Sequence, residues 1–594
     1  MTNTSIKRMF IPLFTASAIL GLALFLFFAL APSAQAVDCN VPSGSYATIQ
    51  AAINEPTCDT IIVAAGSYIE NLSITRNVTI NGAGSSTIID GNDAGRGITI
   101  DGSGITVYLN YLRVTNGDAT SESTGARFGG GILVTGGATL YGNYLYVDNN
   151  VASTAAQTGF GGGIAINPGT ATITNSTIQY NIASQRSGVL VGNGEGGGIY
   201  IAGTAGDAAL TMMHNQIMTN TANYRAATIA AGGGLFQNGG TSPVTVNLSN
   251  NRWQGNVARG ADSAGCSSCS AVDHLAGAGG AIAVGVSTST AVLNITDDSF
   301  YNNSANASND DYGASEVATG GAIALIATNT AGQITGTVQS AIMVGNYAKA
   351  GSGTGEGRGG GIGVRKATLT VEQSDIRDNV SDARGPEGFG GGIYIREPED
   401  GDYLKVTNSF VAGNQAANST TAGAQIHINY TAGSSNLAEI IHSTLADDKQ
   451  TQNLALFYDG TSAGDKLIIG NTIFANHTNG IRNVNATGQA RARHLLFYNV
   501  TNDHVTGSTA FPGSPSDDTT WITGNPLFAD AANGDYHITG GSAAYNTGSD
   551  TNGGGVDVFV SDVDIDGETR PLFTEYDIGA DELNYPVYLP MVIE

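Results

Sequence analysis

The chain has 594 residues, with 24 Lys and Arg against 50 Asp and Glu, giving a formal charge of −26. A surface that acidic, with no basic cluster interrupting it, excludes nucleic acid and anionic lipid as partners. Only 12% of the residues are charged and 83 are Gly, which suits a chain that buries a thin core and coats itself with small polar residues.

Residues 1–36 read as a signal peptide. Lys7 and Arg8 precede an apolar run from Met9 to Ala31, and Ala34-Gln35-Ala36 is a small-x-small cleavage site. The run is long enough to span a bilayer, but the well-placed site favours cleavage after Ala36. Cleavage removes two cations, leaving −26 − 2 = −28, and no integral membrane domain. Val37 and Asp38 before Cys39 do not make a lipobox, which argues against a lipoprotein. The expectation is a secreted or cell-surface protein of the cell envelope, with an outer-membrane location among its possible addresses.

Residues 37–120 are read as an N-terminal cap and the first coils of a solenoid. Cys39 and Cys58 bracket YATIQAAI, a short amphipathic helix placed to plug the open end of the first coil and hide its edge. A disulfide between them would hold the cap, as suits an exported chain. The stretch DTIIVAAGSYIENLSITRNVTINGAGSSTIIDG, 59–91, adds alternating strands. This opening resembles the start of pectate-lyase-like β-helix proteins, a family of enzymes and non-enzymes.

Residues 121–430 repeat. Gly-Gly-Gly-Ile or a close variant recurs with its apolar residue at Ile132, Ile164, Ile199, Leu235, Ile282, Ile323, Ile362, Ile393 and, as Gly-Ala-Gln-Ile, Ile426. A second signature, apolar-x-x-Asn, ends at Asn181, Asn220, Asn256, Asn346 and Asn379. Short alternating runs lie between the two, broken by turn residues such as Asn-Pro-Gly-Thr. Period two predicts strands. A flat coil of three short strands cannot bury its inward face alone, so the coils must stack. The predicted fold is all-β: a single-stranded right-handed parallel β-helix with an N-terminal capping helix. Glycines at the re-entry permit close backbone approach or positive φ, and the Asn closes the coil and can bond along its column. Length varies after the Asn, so the long loops, 257–278 and 304–318 among them, are expected to leave one edge as a comb. The paired motifs resemble the repeats of polymorphic outer-membrane proteins, Gly-Gly-Ala-Ile with Phe-x-x-Asn; GGAI stands at 279–282 and 320–323, and FYNN at 300–303. That resemblance spans about 128–430. It implies a secreted β-helix and carries no activity.

Cys266 and Cys269 form CSSC inside the longest repeat loop. A local disulfide is the expectation; a redox pair or half a zinc site are the alternatives. Coils continue through 431–524 without the Gly motif. Residues 525–584 differ: NPLF, GDYHI, DIDG…RP and DIGADE resemble the choice-of-anchor Q domain at the ends of bacterial surface β-helix proteins, with SAAYNTG departing from its pattern. Residues 585–594 are a short apolar tail. Within 525–584, Asp562, Asp564, Asp566 and Gly567 read Asp-x-Asp-x-Asp-Gly. Such alternation can aim three carboxylates at calcium, although Phe573 stands where an EF-hand loop carries Glu. No cofactor is required by any other motif.

The phase of the Gly motif identifies outward residues: if the motif Ile points in, its neighbour points out. That column runs Leu133, Ala165, Tyr200, Phe236, Ala283, Ala324, Gly363, Tyr394 and His427, and two residues on come Arg365 and Arg396 among small and amide residues. Neither column contains a carboxylate, so the paired acids of glycoside hydrolysis are missing from it. The candidate saccharide contacts are Arg365, Asp375, Arg377 and Arg396, with Asp378 beside them, and the rings of Tyr200 and Tyr394. No catalytic residue is assigned. The favoured function is adhesion, or carbohydrate or surface binding, through loops on one edge without catalysis. The alternative is a polysaccharide lyase, hydrolase or epimerase of unplaced site. An autotransporter passenger is disfavoured, since too few residues follow Asn525 for a membrane barrel.

Overall fold

The period-two runs do form strands, and the strands stack. The structure, a computed structural model, describes residues 38–584 except 122–126, 156, 186–192, 224–228, 261–276, 308–316, 329–330, 351–354, 383–387, 397–402, 420–421, 431–435, 450–453, 461, 463, 485–488, 507–519 and 551–560. Residues 1–36, where a signal peptide is expected, Cys266, Cys269 and the tail 585–594 lie outside the described residues. One coil runs through strands Gly159–Phe160, Ile164–Ile166, Gly169–Thr174, Thr177–Gln179 and Ile182–Ser184. Each pairs in parallel with its equivalent one coil on: Gly159 with Gly194, Ile164 with Ile199, Thr170 with Ala209, Thr177 with Gln216, Ile182 with Thr221. Among the described residues this builds parallel sheets of 26, 14 and 8 strands, and the fold is a right-handed parallel β-helix.

The motif residues form one inward column. Ile132 pairs with Ile164, and the register passes in turn through Ile199, Leu235, Ile282, Ile323, Ile362 and Ile393 to Ile426. It extends beyond the glycine motif to Ile98 on one side and to Leu456 and Ile481 on the other. All of these are fully buried. At the open end, Thr48 caps helix Ile49–Ile53 by accepting the Ala51 N–H at 3.1 Å, and the Glu70 carboxylate accepts from Ile49 and Gln50 at 2.9 Å each. Ile49, Ala52 and Ile53 cover the first coil, and Cys39 and Cys58 are joined.

A buried amide ladder closes the coils. Asn150, Asn181, Asn220, Asn256, Asn303, Asn346, Asn379 and Asn414 are all fully buried. Each Nδ2 donates to the next Oδ1, from 3.0 Å at Asn150 to 2.9 Å at Asn379, and Asn414 hands on to Gln425 at 2.8 Å. Within the ladder the accounting is complete: Asn220 Oδ1 accepts from Asn181 N and Nδ2, while its own Nδ2 donates to Ile178 O and Asn256 Oδ1. Beside it the glycines do two jobs. Gly161 has φ +66°, and a Cβ on Gly162 would stand 2.5 Å from both Gly197 O and the Ile182 carbonyl carbon.

After the ladder the chain leaves along the 8-stranded sheet and returns along short strands such as Arg127–Phe128, Gly159–Phe160, Gly194–Glu195 and Ala230–Ala231. Outgoing and returning strands pack so tightly that a Cβ on Gly159 would overlap Ala183 O. In chain order the undescribed segments 186–192, 224–228 and 308–316 stand between an outgoing and a returning strand, whereas 397–402 and 431–435 follow strands of the 14-stranded sheet. Residues 525–584 bring little core of their own: Tyr536, Ile538, Ala544, Ile578 and Ala580 pack on Phe410, Ala412, Ala446, Ile473 and Leu496 of the solenoid.

A second, shorter ladder ends on an acid. Asn215 Nδ2 donates to Asn251 Oδ1 at 2.9 Å; Asn251 N donates to Asp298 Oδ1 at 2.7 Å and Trp253 Nε1 to Asp298 Oδ2 at 2.8 Å. Burial pushes the Asp298 carboxyl up to about 7, against those hydrogen bonds. With an unfolded value near ~3.9, the folded chain holds a proton that the unfolded chain releases. The stability this contributes is full below about pH 4 and is lost as pH rises to about 7. Asp298→Asn is expected to flatten that part of the fall in thermal midpoint with pH. Parallel midpoint-versus-pH curves for the two proteins would mean that Asp298 titrates at its ordinary value.

Candidate functional site

The outward column of the 14-stranded sheet is not a solvated surface. Tyr200 is 2% exposed and Tyr394 4%. The returning strands lie over this face, so Phe128, Phe160, Ala231 and Ala278 pack on Ala165, Tyr200, Phe236 and Ala283 as a second apolar layer. Phe160 is 4.8 Å from Tyr200 between ring centroids. Further along, His427 stacks on Phe457 at 4.3 Å and meets Tyr394 at 5.4 Å, and burial drives its pKa down to about 3. Tyr200 and Tyr394 are therefore corrected from sugar-stacking rings to packing residues of this layer.

The proposed arginine–aspartate cluster is two clusters on two faces. Arg365 and Arg396 lie side by side in register on the 14-stranded sheet, and Arg358 sits 5.8 Å over the Tyr394 ring. Burial, and then the charges of Arg358 and Arg365, lower the pKa of Arg396. Asp375 and Arg377 belong instead to the 26-stranded sheet, paired with each other at 2.7 Å. There Arg377 Nη1 donates to Asn533 O at 3.4 Å, under the terminal segment. Asp378 takes Lys449 as its ion partner.

The exposed aromatic surface lies elsewhere, on the first coils of the 26-stranded sheet. Strands Thr106–Thr115 and Ala138–Asp148 run in register and place Tyr108 over Tyr141 and Tyr111 over Tyr144. The ring centroids are 4.9 and 4.8 Å apart and the rings nearly parallel, at 12° and 11°. All four rings are exposed, from Tyr141 at 40% to Tyr144 at 49%. Tyr111 and Tyr144 also sit at a corner where the backbone is left-handed, with φ of 56° and 52°. Later coils fill that corner with Asn175, His214, Asn250, Asp297, Ser340, Gln373 and Asn408, mostly residues that tolerate such φ. A bulky ring there costs about 1–2 kcal/mol, a cost that packing does not require of an exposed side chain. The stacks end on short side chains: Thr79 precedes Tyr108 in register and Thr172 follows Tyr141. The outer faces of the end rings thus look over shallow surface. Arg113, bidentate to Asp148 at 2.7 and 2.5 Å, borders the array. The signal was in the repeated words YLNYLRV and YGNYLYV, one on each side of the first Gly-Gly-Gly-Ile motif.

The carboxylates of Asp562, Asp564 and Asp566 do not converge, which corrects the expected calcium loop. Asp564 is fully buried and spends its oxygens on backbone: Oδ1 accepts from Asp566 at 3.0 Å and Glu568 at 2.7 Å, Oδ2 from Glu582 at 3.0 Å. Asp566 instead faces His537 and Asp581; ligand atoms of these three lie within 4.8 Å of one another, and among the described residues they are the one such group. Burial raises Asp581 to about 7. On His537, burial lowers the pKa but is outweighed by Asp535, Asp581 and Asp566, so the net shift is upward.

The words RP and DIGADE hold the segment down. Arg570 and Glu582 form a fully buried ion pair at 3.1 Å. Arg570 also donates to Asp577 O at 3.2 Å and Gly579 O at 3.0 Å, and lies 3.1 Å from His442 Nδ1 on the solenoid. Burial lowers the His442 pKa well below its usual value, which keeps the ring neutral beside the guanidinium.

In fold, the chain is similar to pectate lyase Pel9A, at 11% sequence identity over 93% of this chain and 97% of that one, with a TM-score of 0.28. That likeness carries no activity or substrate to this chain. No family model matches the chain, and no curated protein does.

Removing one partner of a buried ion pair leaves an uncompensated charge and costs about 3–5 kcal/mol. Glu582→Gln is therefore expected to release residues 525–584 from the solenoid. In limited proteolysis the terminal segment should be trimmed many times faster than in the parent chain while the coils resist. Equal trimming rates would show that the apolar contacts alone hold the seat.

Proposed function

We propose that this is an exported, cell-surface β-helix protein that binds carbohydrate without cleaving it, through the array of Tyr108, Tyr111, Tyr141 and Tyr144. The observation that carries the reading is the pair of exposed tyrosines held in left-handed backbone where smaller polar residues serve in later coils. Stacked rings repeating at the coil spacing suit a chain of sugar rings. A pyranose laid on the outer face of Tyr141 would continue the stack over Thr172, and the phenolic oxygens would meet sugar hydroxyls. Tyr and Trp combine an apolar body with a polar tip, which is why they serve at partly wet interfaces. The acidic chain turns the choice toward neutral rather than polyanionic saccharides. Export rests on the sequence features of residues 1–36.

The test is a glycan array followed by affinity electrophoresis on the best polysaccharide, with the parent chain and a variant carrying Tyr108→Ser, Tyr111→Asn, Tyr141→Ser and Tyr144→Asn. Binding should weaken at least tenfold, about 1.4 kcal/mol, with the thermal midpoint little changed, since lost stacking is offset by relieved backbone strain. Undiminished binding by the variant would remove the array from the function. Shortening of the bound polysaccharide would replace this reading with the enzymatic one.

A further inference from the structure

We propose that His537, Asp566 and Asp581 bind a divalent transition-metal ion, Zn²⁺ or Mn²⁺, that clips the terminal segment together. The three side chains come from separate stretches: strand Asp535–Ile538, the turn at 561–570, and 577–582. His537 Nε2 lies 3.1 Å from Asp566 Oδ2, yet it is a buried atom with no hydrogen-bond partner. Its other nitrogen explains the aim. Nδ1 is 2.6 Å from Asp535 Oδ1, so a proton shared with that carboxylate stays on Nδ1 and leaves the Nε2 lone pair directed at Asp566 and Asp581. A carboxylate behind a ligating imidazole is the usual support of a metal-bound histidine. Asp581 is 7% exposed and fixed by the Ile538 N–H at 2.7 Å on Oδ2, and Phe410 closes the site edge-on to the imidazole at 5.1 Å. One imidazole with two carboxylates favours a borderline ion over calcium, which takes oxygen ligands only. The partly exposed Asp566 leaves room for water in the remaining coordination positions.

The competing arrangement is a protonated His537 bridging Asp535 and Asp566, and the two are separated by titration. Full chain stripped with chelator and moved to metal-free buffer is titrated calorimetrically with ZnCl₂, MnCl₂ and CaCl₂. The parent is expected to bind one more equivalent of Zn²⁺ or Mn²⁺ than either His537→Gln or Asp566→Asn, and tenfold excess Ca²⁺ should not displace it. Asp535→Asn should weaken that equivalent by about 10–100-fold. The exposed position of Asp566 makes Asp566→Asn a safe second variant if His537→Gln folds poorly. Equal metal uptake by the parent and Asp566→Asn overturns the site, which also separates it from any metal held by Cys266 and Cys269. Displacement by calcium overturns the assignment of the ion.

Discussion

A parallel solenoid has to close every coil at the same place, and here a buried amide closes it. An asparagine side chain in that position has two donors and an oxygen that accepts twice. At Asn220 every one of those capacities is used, three toward the preceding coil and one toward the next. Such a rung works only if its neighbours stand in register, because a missing amide strands a backbone N–H and a carbonyl in the core. The ladder therefore sets the pitch, and the other features follow from it. The residue just before it turns left-handed at Tyr180, Thr219, Gly255, Asn302 and Asp378 alike. Immediately after it the described chain is sent outward along the 8-stranded sheet.

That outward path decides which surfaces stay open. The outgoing and returning strands form a wall whose inner side folds over the 14-stranded sheet, so the face with the most regular motif becomes interior. The opposite, 26-stranded face has two fates. Over its later coils the terminal segment is seated on Phe410, Ala446 and Ile473. Over its first coils nothing described covers it, and there the four tyrosines stand. Exposed rings and a docked segment thus divide one sheet between them, which places the proposed binding surface at the end capped by the Cys39–Cys58 helix.

The β-helix, its inward column and its capping helix were legible because each follows from local pattern: period two, a glycine that marks phase, and a short amphipathic run between two cysteines. The meaning of the outward column was not. Phase says that Tyr200 points away from the core, but Phe128 and Phe160, which bury it, come from other coils and from strands only two residues long. The aspartate alternation misled for a similar reason. Spacing aligned Asp562, Asp564 and Asp566, yet Asp564 is claimed by three backbone N–H groups, one of them from Glu582. His537, Asp566 and Asp581 share no motif at all; only docking of three stretches assembles them. The tyrosine words were readable in sequence, but their left-handed corner shows only when the coils are laid in register.

The terminal segment shows how a small unit can be ordered with little apolar core. Four of its acids, Asp564, Asp577, Asp581 and Glu582, are buried. Asp564 receives three amides, Asp577 accepts from Asn546 and Leu583, Asp581 accepts from Ile538, and Glu582 holds Arg570. In a water-poor seam each such bond is stronger than at the surface, but each partner left over costs more. A network of this kind is satisfied as a whole or not at all, so the segment should dock as one unit. The solenoid supplies the pieces that complete it, among them His442, Gln373 through the Asp564 carbonyl and Asn408 through the Val563 carbonyl. A metal bound by His537, Asp566 and Asp581 would act on the same balance, adding positive charge where those two carboxylates meet at the imidazole.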